Sequence, residues 1–309
     1  MLAIFIKTLP FFAVIGLGWF AGRIRMFPAP ATAALTKFVF YFALSAMLFN
    51  FSAQLSLDQL FDPAFALAYL CGSVLVWALG MGAALARRLP AAEAAMEAHT
   101  AMTGNTGFLG VPMLVMLLGP AAAGPVLMVL AIDLIVFSSL FTLIVTKARH
   151  GRVSWSLFGA LGLGLLKNPM IVSMAAGLAW AALRLPMPQP LGEFMTLLGA
   201  AATPVALFAI GASLAERSAE RVRPALWLSF AKLVLHPVAV AVMALWVFHV
   251  EIYAAGVMIA AAALPVAGNV YILASHYGVA PQRVSASILI STAVSILTVP
   301  AVIAWVTSL

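Results

Sequence analysis

The polar and apolar positions of this chain follow neither the stripe of a surface helix nor the alternation of a half-buried strand. Apolar residues fill long runs, separated by short polar stretches. Crossing the ~30 Å hydrocarbon core of a bilayer as helix takes about 20 such residues. Ten runs approach that length, over roughly 4–22, 33–51, 64–86, 95–118, 122–146, 166–184, 194–214, 225–248, 253–275 and 285–307. They predict an all-α integral membrane protein of ten transmembrane helices. The first run reads as a span rather than a signal peptide, because it exceeds a typical h-region and Arg23 and Arg25 follow it. Between runs five and six, Val153 to Leu166 mixes Trp155, Phe158 and leucines with small residues, which predicts a short helix at the interface.

Two runs are interrupted by the residues that unwind helices. Run four contains Met102-Thr-Gly-Asn-Thr-Gly-Phe-Leu-Gly-Val-Pro-Met113, and run nine contains Ala262-Ala-Leu-Pro-Val-Ala-Gly-Asn-Val-Tyr-Ile272. Non-helical backbone at membrane depth survives only where protein or a water-filled cavity satisfies it. Paired interruptions in corresponding halves of a chain point to a transporter's binding site. Gly104, Gly107 and Gly110 could instead form a face for close helix packing. That reading leaves Asn105 and Pro112 unexplained. Pro265, Gly268 and Asn269 crowd the second interruption. Half-helix N-termini meeting there would offer unpaired N–H groups and positive partial charge, which suits a carboxylate. The Asn105 and Asn269 amides could add donors, or offer a carbonyl oxygen to a cation.

An internal repeat accompanies the pair. Pro10 and Gly18 of run one recur as Pro169 and Gly177 of run six. Ser45-Ala-Met-Leu-Phe49 of run two lies on Pro204-Val-Ala-Leu-Phe208 of run seven at the same offset. Five spans is an odd number, so a second set of five enters from the opposite side. The predicted organisation is residues 1–152 as one five-helix repeat and 153–309 as its inverted counterpart, a pattern typical of secondary transporters.

Composition sharpens the class. Of 309 residues 65% are apolar and 8% charged, with mean hydropathy +1.13, against about 25% charged in soluble domains. The net charge of +7 comes from basic residues in short loops, with no block that would form a nucleic-acid patch. Arg23 and Arg25, Arg87 and Arg88, Lys147, Arg149 and Arg152, Arg217, Arg221 and Arg223, and Arg283 follow odd-numbered runs. Basic loops stay cytoplasmic, which predicts both termini on the outer or periplasmic side of a bacterial-type inner membrane. Trp19, Trp180 and Trp305 fit an interfacial aromatic belt. The lone Cys71 excludes an intramolecular disulfide and a cysteine metal site. With no Walker loop, HExxH pair or GxSxG elbow, neither an ATP-driven pump nor a soluble-type hydrolase is expected, and no metal or cofactor.

Ionisable residues inside spans are expensive and count as functional candidates. Asp133 lies mid-way along run five, and Lys232 and His236 lie one turn apart in run eight. Asp133 is a candidate coupling group for a proton or sodium ion, with Lys232 as its ion-pair partner or a substrate contact. A purely structural Asp133–Lys232 pair is the alternative. His236 precedes Pro237 and reads as a core histidine. Lys37, about one turn inside run two, reads as an interfacial anchor. Glu93 and Glu97 read as helix-dipole partners at the cytoplasmic start of run four.

At Gly104-Asn-Thr-Gly-Phe-Leu-Gly-Val-Pro112, at Ala263-Leu-Pro-Val-Ala-Gly-Asn-Val-Tyr-Ile-Leu-Ala-Ser-His-Tyr-Gly-Val279 and at Lys167-Asn-Pro169, the sequence resembles the auxin efflux carrier family. The resemblance extends over nearly the whole chain as a ten-span pattern. It implies the fold of bile-acid symporters and sodium/proton antiporters, with helices four and nine broken at a crossover. It also implies a scaffold of helices 1, 2, 6 and 7, a moving transport domain of helices 3–5 and 8–10, and elevator-like alternating access. Bacterial members include suspected malonate and malate carriers. Val270 stands where the plant carriers have a second proline, and their large loop between spans five and six is absent. Both departures argue against auxin as the substrate.

The expected function is therefore secondary transport of a small organic anion, such as a dicarboxylate. The substrate site is expected at Asn105, Gly107, Gly110, Pro112, Pro265, Gly268 and Asn269. A cation/proton antiporter or sodium-coupled symporter of the same architecture is the alternative, and a membrane-embedded receptor or enzyme a more distant one. The lipid bilayer is the expected environment, and a homodimer is left open.

Overall fold

The computed structural model describes residues 2–55, 62–150, 155–215 and 222–309. The described residues form helices, joined by short turns and one isolated antiparallel β-bridge. Arg152, Arg217, Arg221 and the first two residues of the interfacial segment lie outside them.

Among the described residues, seven helices are long and apolar enough to cross a membrane. They are α1 (Leu2–Arg23), α2 (Ala29–Ala53), α3 (Pro63–Ala86), α6 (Pro120–Arg149), α9 (Gln189–Ala215), α10 (Val222–Val247) and α13 (Pro281–Val306). The other three apolar runs are built from shorter pieces. Run four is split into α4 (Ala91–Met102) and α5 (Thr106–Leu118), and run nine into α11 (Ile252–Ala262) and α12 (Gly268–His276). Run six is α8 (Pro169–Ala182), preceded by α7 (Trp155–Leu166), with a bend of 69° between the two. The predicted interfacial segment is thus helical, and an eighth span results if the bent pair is taken as one.

The helix starts are written in the local sequence. Asp62 caps α3, its carboxylate accepting from the Ala64 N–H at 2.8 Å, with Pro63 following where a missing donor costs nothing. Asn168 and Pro169 repeat that arrangement at α8, the amide oxygen accepting from the Met170 N–H at 3.0 Å. Glu251 caps α11 through the N–H groups of Tyr253 and Ala254.

Two packed groups of helices result. In the first, α1 lies along α9 and α8 along α2. A side chain at Gly18 would collide with the backbone carbonyl of Phe208, and one at Gly177 with that of Phe49. Gly177 and Phe208 occupy the positions that the internal repeat assigns to Gly18 and Phe49. The same close approach, which only a missing Cβ permits, therefore occurs twice with the roles of the halves exchanged. In the second group, α3, α4, α6, α10, α11 and α13 pack on one another. Its centre carries most of the buried polar residues, including Glu97, His99, Asp133, Lys232 and His236.

Several helices contain a π-turn, among them Val39–Ala43, Thr106–Gly110, Asp133–Phe137 and Ala231–Leu235. Such turns leave backbone groups out of step and gather at functional sites. Here they carry or adjoin Lys37, Asn105, Asp133 and Lys232.

Candidate functional site

The two breaks meet. Gly104 and Val266 form the antiparallel bridge. The Asn105 N–H donates to the Pro265 carbonyl at 2.8 Å, and the Ala267 N–H to the Thr103 carbonyl at 3.1 Å. The chain on either side has too few internal partners in an apolar setting, so each break supplies what the other lacks. Ser291 on α13 fixes the second break further, its hydroxyl oxygen accepting from the Val266 N–H at 3.1 Å.

The helices α5 and α12 both start at this junction. Among the described residues, the N–H groups of Gly107 and Phe108 on α5, and of Gly268 and Asn269 on α12, find no acceptor. Four donors at two helix N-termini thus converge with positive partial charge. Neither the Asn105 nor the Asn269 amide makes a side-chain hydrogen bond among the described residues, and the Asn269 Oδ1 is buried without a donor.

Two cavities reach the junction. One, of about 630 Å³, lies against α2, α9 and α12 and extends to Gln282. The other, of about 670 Å³, runs past Asp133 and Ser139 to Thr146, Leu157 and Tyr277. Thr36, Lys37, Asn105, Phe108, Asn269 and Ile272 line both. Both extend toward the ends of the helices that carry the basic loops.

The sequence-predicted residues divide between these roles. Asn105 and Asn269 line both cavities, Gly107 the second and Gly268 the first. A Cβ at Gly268 would meet open space, whereas one at Gly107 would strike Met170 and one at Gly110 Leu264. Both glycines thus lie against the ends of flexible side chains, and Gly107 lines the second cavity as well. Pro265 contributes its carbonyl to the junction rather than a surface to a cavity. Pro112 lies within α5, buried and beyond the break. The chain leaves helix at Thr103 to Asn105 and resumes it before the proline, whose missing donor falls just after the π-turn.

Lys232 is fully buried, and its ammonium donates to the Ala262 carbonyl at the C-terminus of α11. The end of a helix carries negative partial charge, so a cation is well placed there. The same ammonium lies 3.2 Å from His236 Nδ1, and His236 Nε2 lies 2.9 Å from the Ser73 hydroxyl. A Cβ at Gly104 would touch the lysine side chain, so a larger residue there would displace it. Asp133 accepts from the Tyr69 phenol at 2.9 Å through Oδ1, while Oδ2 is buried without a partner. Tyr69 stands edge-on to the His236 ring at 5.8 Å. Among the described residues Asp133 and Lys232 share no salt bridge. Tyr69, Ser73 and His236 stand between them, so the direct structural pair is absent and His236 is a member of a polar chain.

Three other residues differ from their sequence expectation or add to it. Glu97, with 1% of its side chain exposed, is held by Arg87 and by Arg283 at 2.5 Å, and Arg283 also pairs with Glu93. It therefore ties α4 to α13 and the end of α3, rather than facing water as a dipole partner. His99 is buried, hydrogen-bonded to Thr103 and stacked on Phe141 at 5.4 Å. Lys37 lies two turns inside α2, because the helix starts earlier than the apolar run does.

The chain matches the model of the membrane transport protein family over residues 3–303. It belongs to that family, the auxin efflux carrier family of the sequence resemblance. Among the relatives of this transporter is a "Putative malonate transporter" of Rhizobium meliloti (strain 1021), 32% identical over 94% of this chain and 92% of that one. An "Uncharacterized transporter YfdV" of Escherichia coli (strain K12) is 27% identical over 97% of both chains. This chain is accordingly a multi-pass membrane transporter.

Proposed function

We propose that the protein is a secondary carrier of small organic anions, with dicarboxylates such as malonate as the leading class. The observation that carries this reading is the junction itself. Four unpaired N–H donors and two amides without side-chain hydrogen bonds belong to residues that line the two cavities, and no carboxylate is bonded to them. Such a site favours an anion over a cation. The printed name of the Rhizobium relative supports the substrate class.

The proposed architecture is ten spans in two inverted five-helix repeats, supported by the exchanged Gly18–Phe208 and Gly177–Phe49 contacts. The first packed group would serve as scaffold and the second as the moving body, elevator-like. With basic loops inward and both termini outward, the two cavities correspond to an inward-open state of an inner-membrane protein. Asp133, which lines the second cavity and has a buried, unpartnered carboxylate oxygen, is the proposed seat of a coupling proton or sodium ion.

The test is uptake of radiolabelled malonate into proteoliposomes, with Asn105→Ala and Asn269→Ala alongside. Each substitution is expected to lower apparent affinity about tenfold or more, the typical loss for a hydrogen bond to a charged group. Normal malonate transport by both variants would overturn the junction as the site.

A further inference from the structure

We infer that Lys37 is the second anion contact of this carrier, reading the distal carboxylate of a short dicarboxylate. The inference rests on the organic-anion reading above and narrows it.

Lys37 is a residue of α2, in the first packed group, while Asn105 and Asn269 sit at the starts of α5 and α12. It sits about 12 Å along α2 from the helix start at Ala29, since each residue rises 1.5 Å. Its side chain is exposed, and Lys37 lines both cavities together with Asn105 and Asn269. Among the described residues it makes no ion pair or hydrogen bond. It is the one cation among the described residues that line the two cavities. The one acid among them, Asp133, lines the second cavity only and already accepts from Tyr69.

An unpaired ammonium on an otherwise largely apolar wall lacks an anion. A monocarboxylate seated on the N–H donors of α5 and α12 would leave it so. A dicarboxylate would present one carboxylate to those donors and the other to Lys37. A compact ammonium suits a carboxylate of variable approach, because its donors rotate freely. Thr36 and Gln282 add neutral polar groups to the cavity walls.

The experiment is equilibrium binding to the purified full-length protein in detergent, comparing malonate with malonamate, its monoamide, which nearly keeps the shape and loses one charge. Wild type is expected to prefer malonate by about tenfold or more, the scale of a charge-assisted contact. Lys37→Gln should erase that preference by weakening malonate alone, and Lys37→Arg should keep it. Size-exclusion profile and thermal midpoint establish that each variant is folded. Equal wild-type affinity for the two ligands, or an unchanged preference in folded Lys37→Gln, would overturn the inference. Failure of the anion reading looks different. Folded wild-type protein would then bind neither ligand, and both proposals would fall. Loss of preference in Lys37→Gln with normal binding by Asn105→Ala and Asn269→Ala would sustain Lys37 and remove the junction.

Discussion

The backbone N–H of Asn105 donates to the carbonyl oxygen of Pro265 at 2.8 Å, so each helix break is completed by the other. Neither interruption is self-sufficient in an apolar setting. The consequence is that four N–H donors stay free at one spot, because the partners that remain are spent on holding the junction together.

The pairing of halves in the scaffold can be tested through its glycines. Gly18→Val and Gly177→Val should each destabilise the protein by about 1–3 kcal/mol, the usual cost of overpacking. Gly16→Val should be near neutral, since no atom lies within 4 Å of a Cβ there. Thermal unfolding in detergent measures all three, and equal midpoints across the set would refute the close contact.

The carboxylate of Glu97 offers a second test. Glu97→Ala leaves the partly buried Arg283 with Glu93 alone and should cost about 3–5 kcal/mol, as for breaking a buried pair. Arg283→Ala should cost less in that background than in wild type. Additive losses in the double-mutant cycle would mean that the two groups are not coupled.

Asp133→Asn keeps an acceptor for the Tyr69 phenol but cannot exchange a proton. Folding should survive, while any pH or sodium dependence of uptake flattens. Tyr69→Phe removes the phenol and leaves the carboxylate, so the dependence should persist. Identical pH and sodium profiles in wild type and Asp133→Asn vesicles would exclude Asp133 as the coupling group.

Sidedness is open to labelling, because Cys71 is the chain's single cysteine. In a Cys71→Ala background, Ser139→Cys on the second cavity should react with an impermeant maleimide about tenfold faster from the basic-loop side, where the thiol is reachable. Ser291→Cys, on a fully buried position, should react slowly from either side. Faster labelling of Ser139→Cys from the opposite side would overturn the inward-open assignment.

How far the sequence reaches depends on how local each determinant is. Asn105 and Asn269 are legible because Gly and Pro beside a polar residue in an apolar run rarely serve a continuous helix. Gly107 and Gly110 cannot be told from packing glycines in sequence, since their neighbours Met170 and Leu264 are distant in the chain. Lys37 reads as an anchor because the residues that build the cavities around it, among them Asn105, Ala206 and Asn269, are distant in the chain. Glu97 differs from its expectation for another reason: its partner Arg283 is 186 residues away, and the helix around Glu97, which starts at Ala91, does not announce such a partner. Lys232 and Asp133 stand out by the cost of burying a charge, yet the tyrosine, serine and histidine between them are ordinary residues in sequence.

The cluster of Glu93, Glu97, Arg87 and Arg283 has an electrical meaning. Two formal negative charges stand beside two positive ones. Carrying one elementary charge through 100 mV takes about 2.3 kcal/mol, but a quartet that sums to zero moves through the membrane field without such work. The clasp on the second helix group is therefore silent to voltage. Any current recorded during turnover would report the cargo and the few unbalanced groups that move with it, with Asp133 and Lys232 foremost.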